Sequence, residues 1–131
     1  MRRAKWFVLI GVCVVVTALA GCLPGRVVRI DATYNGRAVT VPLDGKLIVS
    51  LDSNATTGYA WALEEVDASI LANEGSKYIA PVTMLVGVGG TEEWTFGAIA
   101  VGQTALKLKY VRSFEPEGEP AGTFEVAVTV E

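Results

Sequence analysis

The chain has 131 residues, 51% of them hydrophobic, and a formal net charge of −3. It contains no histidine, which excludes catalytic pairs of the Ser-His and Cys-His types and removes the commonest metal ligand. The acidic balance gives no electrostatic reason to bind nucleic acid or an anionic membrane surface.

The N-terminal segment has the pattern of a secretory signal peptide, a basic start followed by an apolar run. The basic residues are Arg2, Arg3 and Lys5, and the apolar run covers residues 6–20. A transmembrane anchor is the weaker interpretation, because the run is short for a bilayer span and Pro24 follows it closely. We therefore predict that residues 1–21 are removed as a signal peptide.

Residues 19–22, Leu-Ala-Gly-Cys, resemble the lipobox of bacterial lipoproteins. The resemblance implies that Cys22 carries a lipid, that residues 22–25 form a short tether, and that the protein is lipid-anchored in the cell envelope. In a Gram-negative cell the anchor would lie in the outer membrane.

The leader contains Cys13 and three of the eleven basic residues, so the remaining chain has no free thiol and a net side-chain charge of −6. Disulfides, thiolate metal sites and cysteine nucleophiles are thereby excluded, and we expect neither a metal nor a cofactor.

Beyond Gly25 the hydrophobic residues alternate with a period of two, which is typical of β-strands. Asn35-Gly36 predicts a hairpin turn between strands at 28–34 and 38–41. Further strands are predicted at 47–51 and 59–63, and, later in the chain, at 94–96, 106–110 and 124–130. Residues 64–77 show no clear pattern and are expected to be irregular.

Pro81 interrupts the apolar run at 78–86 and favours an edge strand or a strand that switches sheets. The acidic pairs Glu64-Glu65 and Glu92-Glu93 are predicted to be surface charge, because neighbours on a strand point to opposite faces and cannot converge as acid and base. Seven or eight short antiparallel strands, with no internal repeat and no linker, predict one all-β sandwich at residues 26–131.

Three loops carry residues that strand packing does not require, and alternate connections in a sandwich emerge at the same end. The first loop has Asn54, Thr56, Thr57, Gly58 and Tyr59. The second has Gly87, Gly89 and Gly90, followed by Trp94 and Phe96, and the third has Arg112 and Phe114, with Tyr110 two residues before the arginine. In this order they resemble the motifs N-P-T-T-G-[YF], G-x-G-G, W-x-F and R-P-[WF] of the chagasin-like inhibitors of papain-type cysteine peptidases.

The resemblance implies an immunoglobulin-like antiparallel β-sandwich that acts as a reversible, substrate-competitive inhibitor of a papain-family cysteine peptidase. The protein would have no catalytic residues of its own and would be a monomer. Thr56 and Thr57 would cover the catalytic cysteine, and a positive φ at Gly58 would turn the chain away. The glycine loop and the Arg112–Phe114 loop would contact the two walls of the cleft.

Ala55 and Ser113 stand where the family has proline. Because proline pre-sets φ, each replacement is expected to add an ordering cost on the order of 1 kcal/mol to binding. A second interpretation remains open, an immunoglobulin-like surface lipoprotein for adhesion or envelope assembly whose loops bind another partner.

Overall fold

The computed structural model describes residues 26–82 and 89–131 and is an all-β sandwich. Its eight strands are β1 (Val27–Asp31), β2 (Arg37–Val41), β3 (Lys46–Ser53), β4 (Tyr59–Glu65), β5 (Leu71–Ile79), β6 (Gly90–Ala98), β7 (Gly102–Arg112) and β8 (Gly122–Val130). Two 3-10 turns, Ala32–Tyr34 and Ala55–Thr57, lie between strands. The predicted sandwich of seven or eight strands is confirmed. Across residues 26–82 and 89–131, no helix has the length and apolar character needed to cross a membrane.

The strands form two four-stranded sheets. The first sheet has the order β1-β3-β6-β5 and the second has the order β2-β8-β7-β4. The pairs β3–β6, β5–β6, β4–β7 and β7–β8 are antiparallel, whereas β1 pairs with β3 and β2 with β8 in parallel. The mainly antiparallel sandwich therefore has one parallel strand at an edge of each sheet.

The hairpin predicted at Asn35-Gly36 is wrong, because β1 and β2 belong to different sheets. The amide of Gly36 donates to the carbonyl oxygen of Glu125 at 2.7 Å, and the side-chain oxygen of Asn35 accepts from the Glu125 amide at 2.9 Å. Gly36 does adopt the positive φ, +80°, that favours glycine in a turn. The Asn-Gly pair thus makes its hydrogen bonds with β8 and carries the chain from one sheet to the other.

The core lies between the sheets and is built from the alternating residues that the sequence predicts. On β3 the inward side chains at 47, 49 and 51 are buried, and on β8 those at 124, 126, 128 and 130 are buried. Phe96 and Trp94 of β6 lie on the same inward face, with ring centroids 6.4 Å apart. Burial of these apolar surfaces is the main stabilising contribution to the sandwich.

The expectation that residues 64–77 are irregular holds only for residues 66–70. β4 continues to Glu65, and β5 begins at Leu71 and runs to Ile79. β5 is an edge strand on which only Leu71 is buried, and a bulge between Asn73 and Gly75 shifts its register against β6. An edge strand that is exposed on most of its length has no alternating hydrophobic pattern, so its sequence gives little signal. Its position at an edge agrees with the interpretation of Pro81, although residues 83–88 of the 78–86 run lie outside the described residues.

The strand directions define two ends of the sandwich. β3 and β7 finish at one end, where β4, β6 and β8 begin, and this is called the loop end. The first described residue, Arg26, lies at the opposite end, where its carbonyl oxygen accepts a hydrogen bond from the Lys46 amide at the start of β3. The last residue, Glu131, also lies there, because its carbonyl oxygen accepts from the Leu43 amide just after β2. The chain therefore enters and leaves the domain at the end opposite the loops.

Candidate functional site

The connection between β3 and β4, the 54–58 loop, is a 3-10 turn held by its own side chains. The side-chain oxygen of Asn54 accepts hydrogen bonds from the amide and the hydroxyl of Thr56, at 3.1 and 2.6 Å. The hydroxyl of Thr57 donates to the carbonyl oxygen of Asn54 at 2.7 Å. Ala55, Thr56 and Thr57 are exposed. The loop therefore presents three small, uncharged side chains to solvent in a conformation that local hydrogen bonds restrain.

Gly58 ends this turn in the left-handed region, with φ +81° and ψ 0°. This confirms the predicted positive φ. A Cβ at this position would lie 3.7 Å from the ring of Phe114, an ordinary contact distance. The backbone conformation, and not crowding, is therefore what favours glycine here.

Three aromatic residues support the base of the 54–58 loop. The hydroxyl of Tyr110 on β7 accepts a hydrogen bond from the Asn54 amide at 2.9 Å. The Tyr110 ring stacks on Tyr59 at 5.4 Å and contacts Trp61 at 5.1 Å. The indole of Trp61 packs against the core and donates to the carbonyl oxygen of Asp52 at 2.9 Å. The loop is thus attached to both sheets, and Trp61 belongs to its support.

The 112–114 segment, which begins at the last residue of β7, is joined directly to the 54–58 loop. The amide and the hydroxyl of Ser113 both donate to the carbonyl oxygen of Gly58, at 3.0 and 3.1 Å. Arg112 donates from Nε to the Tyr59 hydroxyl at 3.2 Å, and its guanidinium carbon lies 5.5 Å from the centre of the Tyr59 ring and 5.9 Å from that of Phe114. The Phe114 side chain is 71% exposed. The segment therefore presents an aromatic ring to solvent beside the guanidinium of Arg112.

Ser113 makes a contact that a proline could not make, because proline has no amide hydrogen. Hydrogen bonds to Gly58 thus restrain this segment where a proline ring would restrain φ. Asn54 has a similar effect beside Ala55, since its side chain caps the turn that Ala55 begins. The two departures from the family motif are accompanied by local hydrogen bonds that limit the freedom of both loops.

Two of the three predicted glycines of the second loop can be placed, and Gly87 lies outside the described residues. Gly89 is exposed and adjoins the 54–58 loop, since a Cβ there would be 3.2 Å from the Ser53 carbonyl oxygen and 3.5 Å from the Cβ of Asn54. Gly90 begins β6, and a Cβ there would collide with the Ile79 carbonyl oxygen. Packing against β5 within the protein therefore requires a glycine at 90.

Glu92 corrects the prediction that both members of the Glu92-Glu93 pair are surface charge. Its side chain is only 8% exposed and accepts hydrogen bonds from the Ser53 hydroxyl at 2.7 Å and from the Trp61 amide at 3.0 Å. Glu93 does point outward, to Arg29 and Lys77 at 3.6 and 3.7 Å. The signal was present in the sequence, because the period-two pattern that places Trp94 and Phe96 inward also places Glu92 inward.

The structure brings the described members of all three loops together at the loop end. The predicted residues that meet there are Asn54, Thr56, Thr57, Gly58, Tyr59, Gly89, Gly90, Arg112 and Phe114. An open depression between the first two loops is lined by Asp52, Ser53, Asn54, Gly89, Gly90 and Tyr110. Within residues 26–82 and 89–131, no group of three or more His, Cys, Asp or Glu side chains could hold a metal ion. The chemistry of this surface is that of a binding site, with small polar groups, backbone and one exposed aromatic ring.

Comparison with known proteins points to one family. The sequence model of the family described as "Chagasin family peptidase inhibitor I42" matches residues 40–128 of this chain. Chagasin of Trypanosoma cruzi is 30% identical over 102 residues, which cover 75% of this chain and 93% of that protein.

Solved structures share the fold. The cysteine protease inhibitor EhICP2 from Entamoeba histolytica superposes with a TM-score of 0.72 at 21% identity, over 81% of this chain and 96% of that one. PbICP-C, solved in complex with falcipain-2, superposes with a TM-score of 0.60 at 17% identity, over 82% and 100% of the two chains.

The cap of the 54–58 loop gives a first prediction. Asn54→Ala removes the acceptor of both Thr56 donors, and loss of such a cap costs about 1 kcal/mol. We expect the amides of Thr56 and Thr57 to exchange hydrogen roughly fivefold faster, with little change in the rest of the domain. The matched control is Asn73→Ala, because the Asn73 side chain accepts a similar bond from the Gly75 amide on β5. Hydrogen exchange measured by NMR tests this, and an unchanged rate at Thr56 in Asn54→Ala would contradict it.

Proposed function

The chain belongs to the chagasin family of peptidase inhibitors, and from this we propose that it is a reversible, substrate-competitive inhibitor of papain-family cysteine peptidases. The observation that supports this most is the meeting of the three loops at one end of the sandwich. A papain-type active site is a groove with a thiolate–imidazolium pair in its floor. Such a groove is blocked by a narrow, uncharged projection, and the exposed residues 55–57 are small and uncharged.

The 54–58 loop can occupy the cleft without being cleaved because it is a turn. The amides of Thr57 and Gly58 donate to the carbonyl oxygens of Asn54 and Ala55, at 3.2 and 3.5 Å. Peptides that bind grooves by strand-like pairing do so in an extended form. In the turn the carbonyl groups of Asn54 and Ala55 are already engaged within the loop, so no extended peptide bond is presented to the thiolate.

The other two loops would contact the walls of the cleft. Gly89 has no side chain and lies exposed next to the 54–58 loop, so a partner's backbone can approach it closely. Phe114 presents its ring on the other side, and Arg112 lies against that ring. Aromatic and arginine side chains commonly supply most of the binding energy at protein interfaces. The three loops together would cover the cleft on both sides of the catalytic cysteine.

The proposal is tested by titrating active-site-counted papain with the protein in the presence of a fluorogenic peptide. We expect tight, reversible inhibition that rising substrate concentration relieves. Thr57→Arg is expected to abolish it, because a long charged side chain would block entry of the exposed loop into the groove. Gln103→Arg is the matched control, since Gln103 is exposed at the opposite end of the domain. Full inhibition by a folded Thr57→Arg protein would refute the entry of the 54–58 loop into the groove, and absence of inhibition by the wild type would refute the function.

The two prolines of the family motif are expected to have different effects in this chain. Asn54 has φ −120° and ψ 99°, an extended conformation of the kind that a following proline favours. Ala55→Pro should therefore reduce the freedom of the unbound loop and lower the inhibition constant by a few-fold, corresponding to about 0.4–1 kcal/mol. Ser113→Pro should not improve inhibition, because it removes the amide that donates to Gly58. Inhibition constants of both variants decide this, and equal gains from both would show that the Ser113 hydrogen bonds do not restrain the segment.

We further propose that the inhibitor domain, residues 26–131, is a monomer attached to the cell envelope through a lipid on Cys22, with the outer membrane as the site in a Gram-negative cell. The direction of the chain supports this arrangement. Arg26 lies at the end opposite the loops, so a tether at residues 22–25 would join the domain at its far end. The three loops would then point away from the bilayer and remain accessible to a peptidase.

The two cysteines provide the test of the anchor. In a bacterium that processes lipoproteins, Cys22→Ser should abolish labelling by radioactive fatty acid and move the protein from the detergent phase to the aqueous phase. Cys13→Ser should leave both properties unchanged, because Cys13 would be removed with the signal peptide. Labelling that survives in Cys22→Ser, or that depends on Cys13, would refute the anchor.

A further inference from the structure

The core ends in a polar layer directly below the 54–58 loop. On β3 the inward position after Leu51 is Ser53, which is 5% exposed, and on β6 the inward position before Trp94 is Glu92, which is 8% exposed. Ser53 and Glu92 occupy positions that apolar side chains fill lower in the same two strands. Burying a carboxylate is costly unless donors surround it, so this substitution of polar for apolar residues needs a structural reason.

One oxygen atom of Glu92 contacts both flanks of the loop. Oε2 accepts a hydrogen bond from the Ser53 hydroxyl, at the last residue of β3, and another from the Trp61 amide, two residues after β4 begins. Ser53 belongs to the first sheet and Trp61 to the second. The carboxylate therefore links the two sheets at the two points between which the 54–58 loop is suspended.

We propose that Glu92 is a positioning residue for inhibition, which holds the two flanks of the 54–58 loop at the separation that the peptidase cleft requires. The proposal rests on the proposed function and adds a residue outside the three loop motifs. Glu92 is buried below the loop and acts through the loop, without a contact of its own with the peptidase. If the unbound loop adopts its binding geometry for only part of the time, the apparent dissociation constant rises by the inverse of that fraction.

Other contacts of the loop have different effects. The Asn54 side chain holds the turn of residues 54–57, and Ser113 ties Gly58 to the segment after β7. Neither joins the end of β3 to the start of β4. The Glu92 contact does so, together with the hydrogen bond from the Trp61 indole to the Asp52 carbonyl oxygen, and the two contacts fix the direction in which the turn leaves the sandwich.

The test compares Glu92→Leu, Glu92→Gln and Glu93→Gln in the full-length, detergent-solubilised protein. Leucine fills a similar volume but accepts no hydrogen bond, whereas the amide oxygen of glutamine can take the place of Oε2 as acceptor for both donors. We expect the inhibition constant for papain to rise about tenfold or more in Glu92→Leu and to stay within about threefold of the wild type in Glu92→Gln. Glu93→Gln is the matched control, because Glu93 is adjacent on β6 and points to the opposite face. It should inhibit as the wild type does.

Hydrogen exchange and thermal unfolding separate positioning from general stability. In Glu92→Leu we expect faster exchange at the Trp61 amide and in residues 54–58, while the midpoint of thermal unfolding stays within a few degrees of the wild type, since apolar replacement of a buried charge is often tolerated. Inhibition at the wild-type level by Glu92→Leu would overturn the proposal. So would a loss of inhibition in that variant without faster exchange in the loop.

Should Glu92→Leu fail to fold, Ser53→Ala decides the question, because it removes one of the two donors and leaves β6 unchanged. A rise in the inhibition constant with faster exchange in residues 54–58 would support positioning, and an unchanged constant would overturn it. The two proposals fail separately. A wild-type protein that does not inhibit papain would refute the proposed function, and the exchange rates of the 54–58 loop would still report whether Glu92 orders that loop.

Discussion

The hydrogen bonds from Ser53 and Trp61 to the Glu92 carboxylate connect the apolar core to the loop surface. Below this contact, inward-facing side chains of the two sheets exclude water and stabilise the sandwich without specifying direction. A buried carboxylate is different, because it must be met by donors at defined distances and angles. The contact joins the end of β3, the start of β4 and β6, and in the proposed positioning role the geometry of the loop end depends on it.

The loops at this end are bonded to one another before any partner arrives. The Tyr110 hydroxyl accepts from Asn54, and Ser113 donates to Gly58. Each such bond lowers the conformational entropy that the free loops would otherwise lose on binding. The exposed side chains of the 54–58 loop, by contrast, are small, and Phe114 is the large apolar side chain that the 112–114 segment exposes. Such a surface combines an ordered backbone with little steric bulk, which suits entry into a groove.

The course of the chain through the sandwich places the ends of the domain and the three loops at opposite ends. β1 enters beside the start of β3 and in the same direction, and β8 leaves beside the end of β2. This places both ends of the domain away from the three loops. In the proposed lipid-anchored protein the membrane and the peptidase would therefore be met by opposite ends, and the domain itself would act as the spacer between them.

The sequence by itself determined the all-β class, the core strands with regular alternation and the three loop motifs, because alternation and turn chemistry are local properties of a strand. It also excluded histidine-dependent catalysis.

The tertiary structure alone decided the partners of β1 and β2, since Asn35-Gly36 bonds to Glu125 and does not close a hairpin. It also revealed β5, an edge strand with a mostly exposed surface whose sequence therefore lacks the alternation of apolar and polar residues. The hydrogen bonds from Ser113 to Gly58 were likewise visible only in the structure. The period-two pattern of β6 was enough to place Glu92 inward, although the prediction did not use it. Its hydrogen-bond donors, however, lie 39 and 31 residues away along the chain. Which distant groups meet a buried charge depends on how the two sheets pack, and no local pattern in the sequence contains that information.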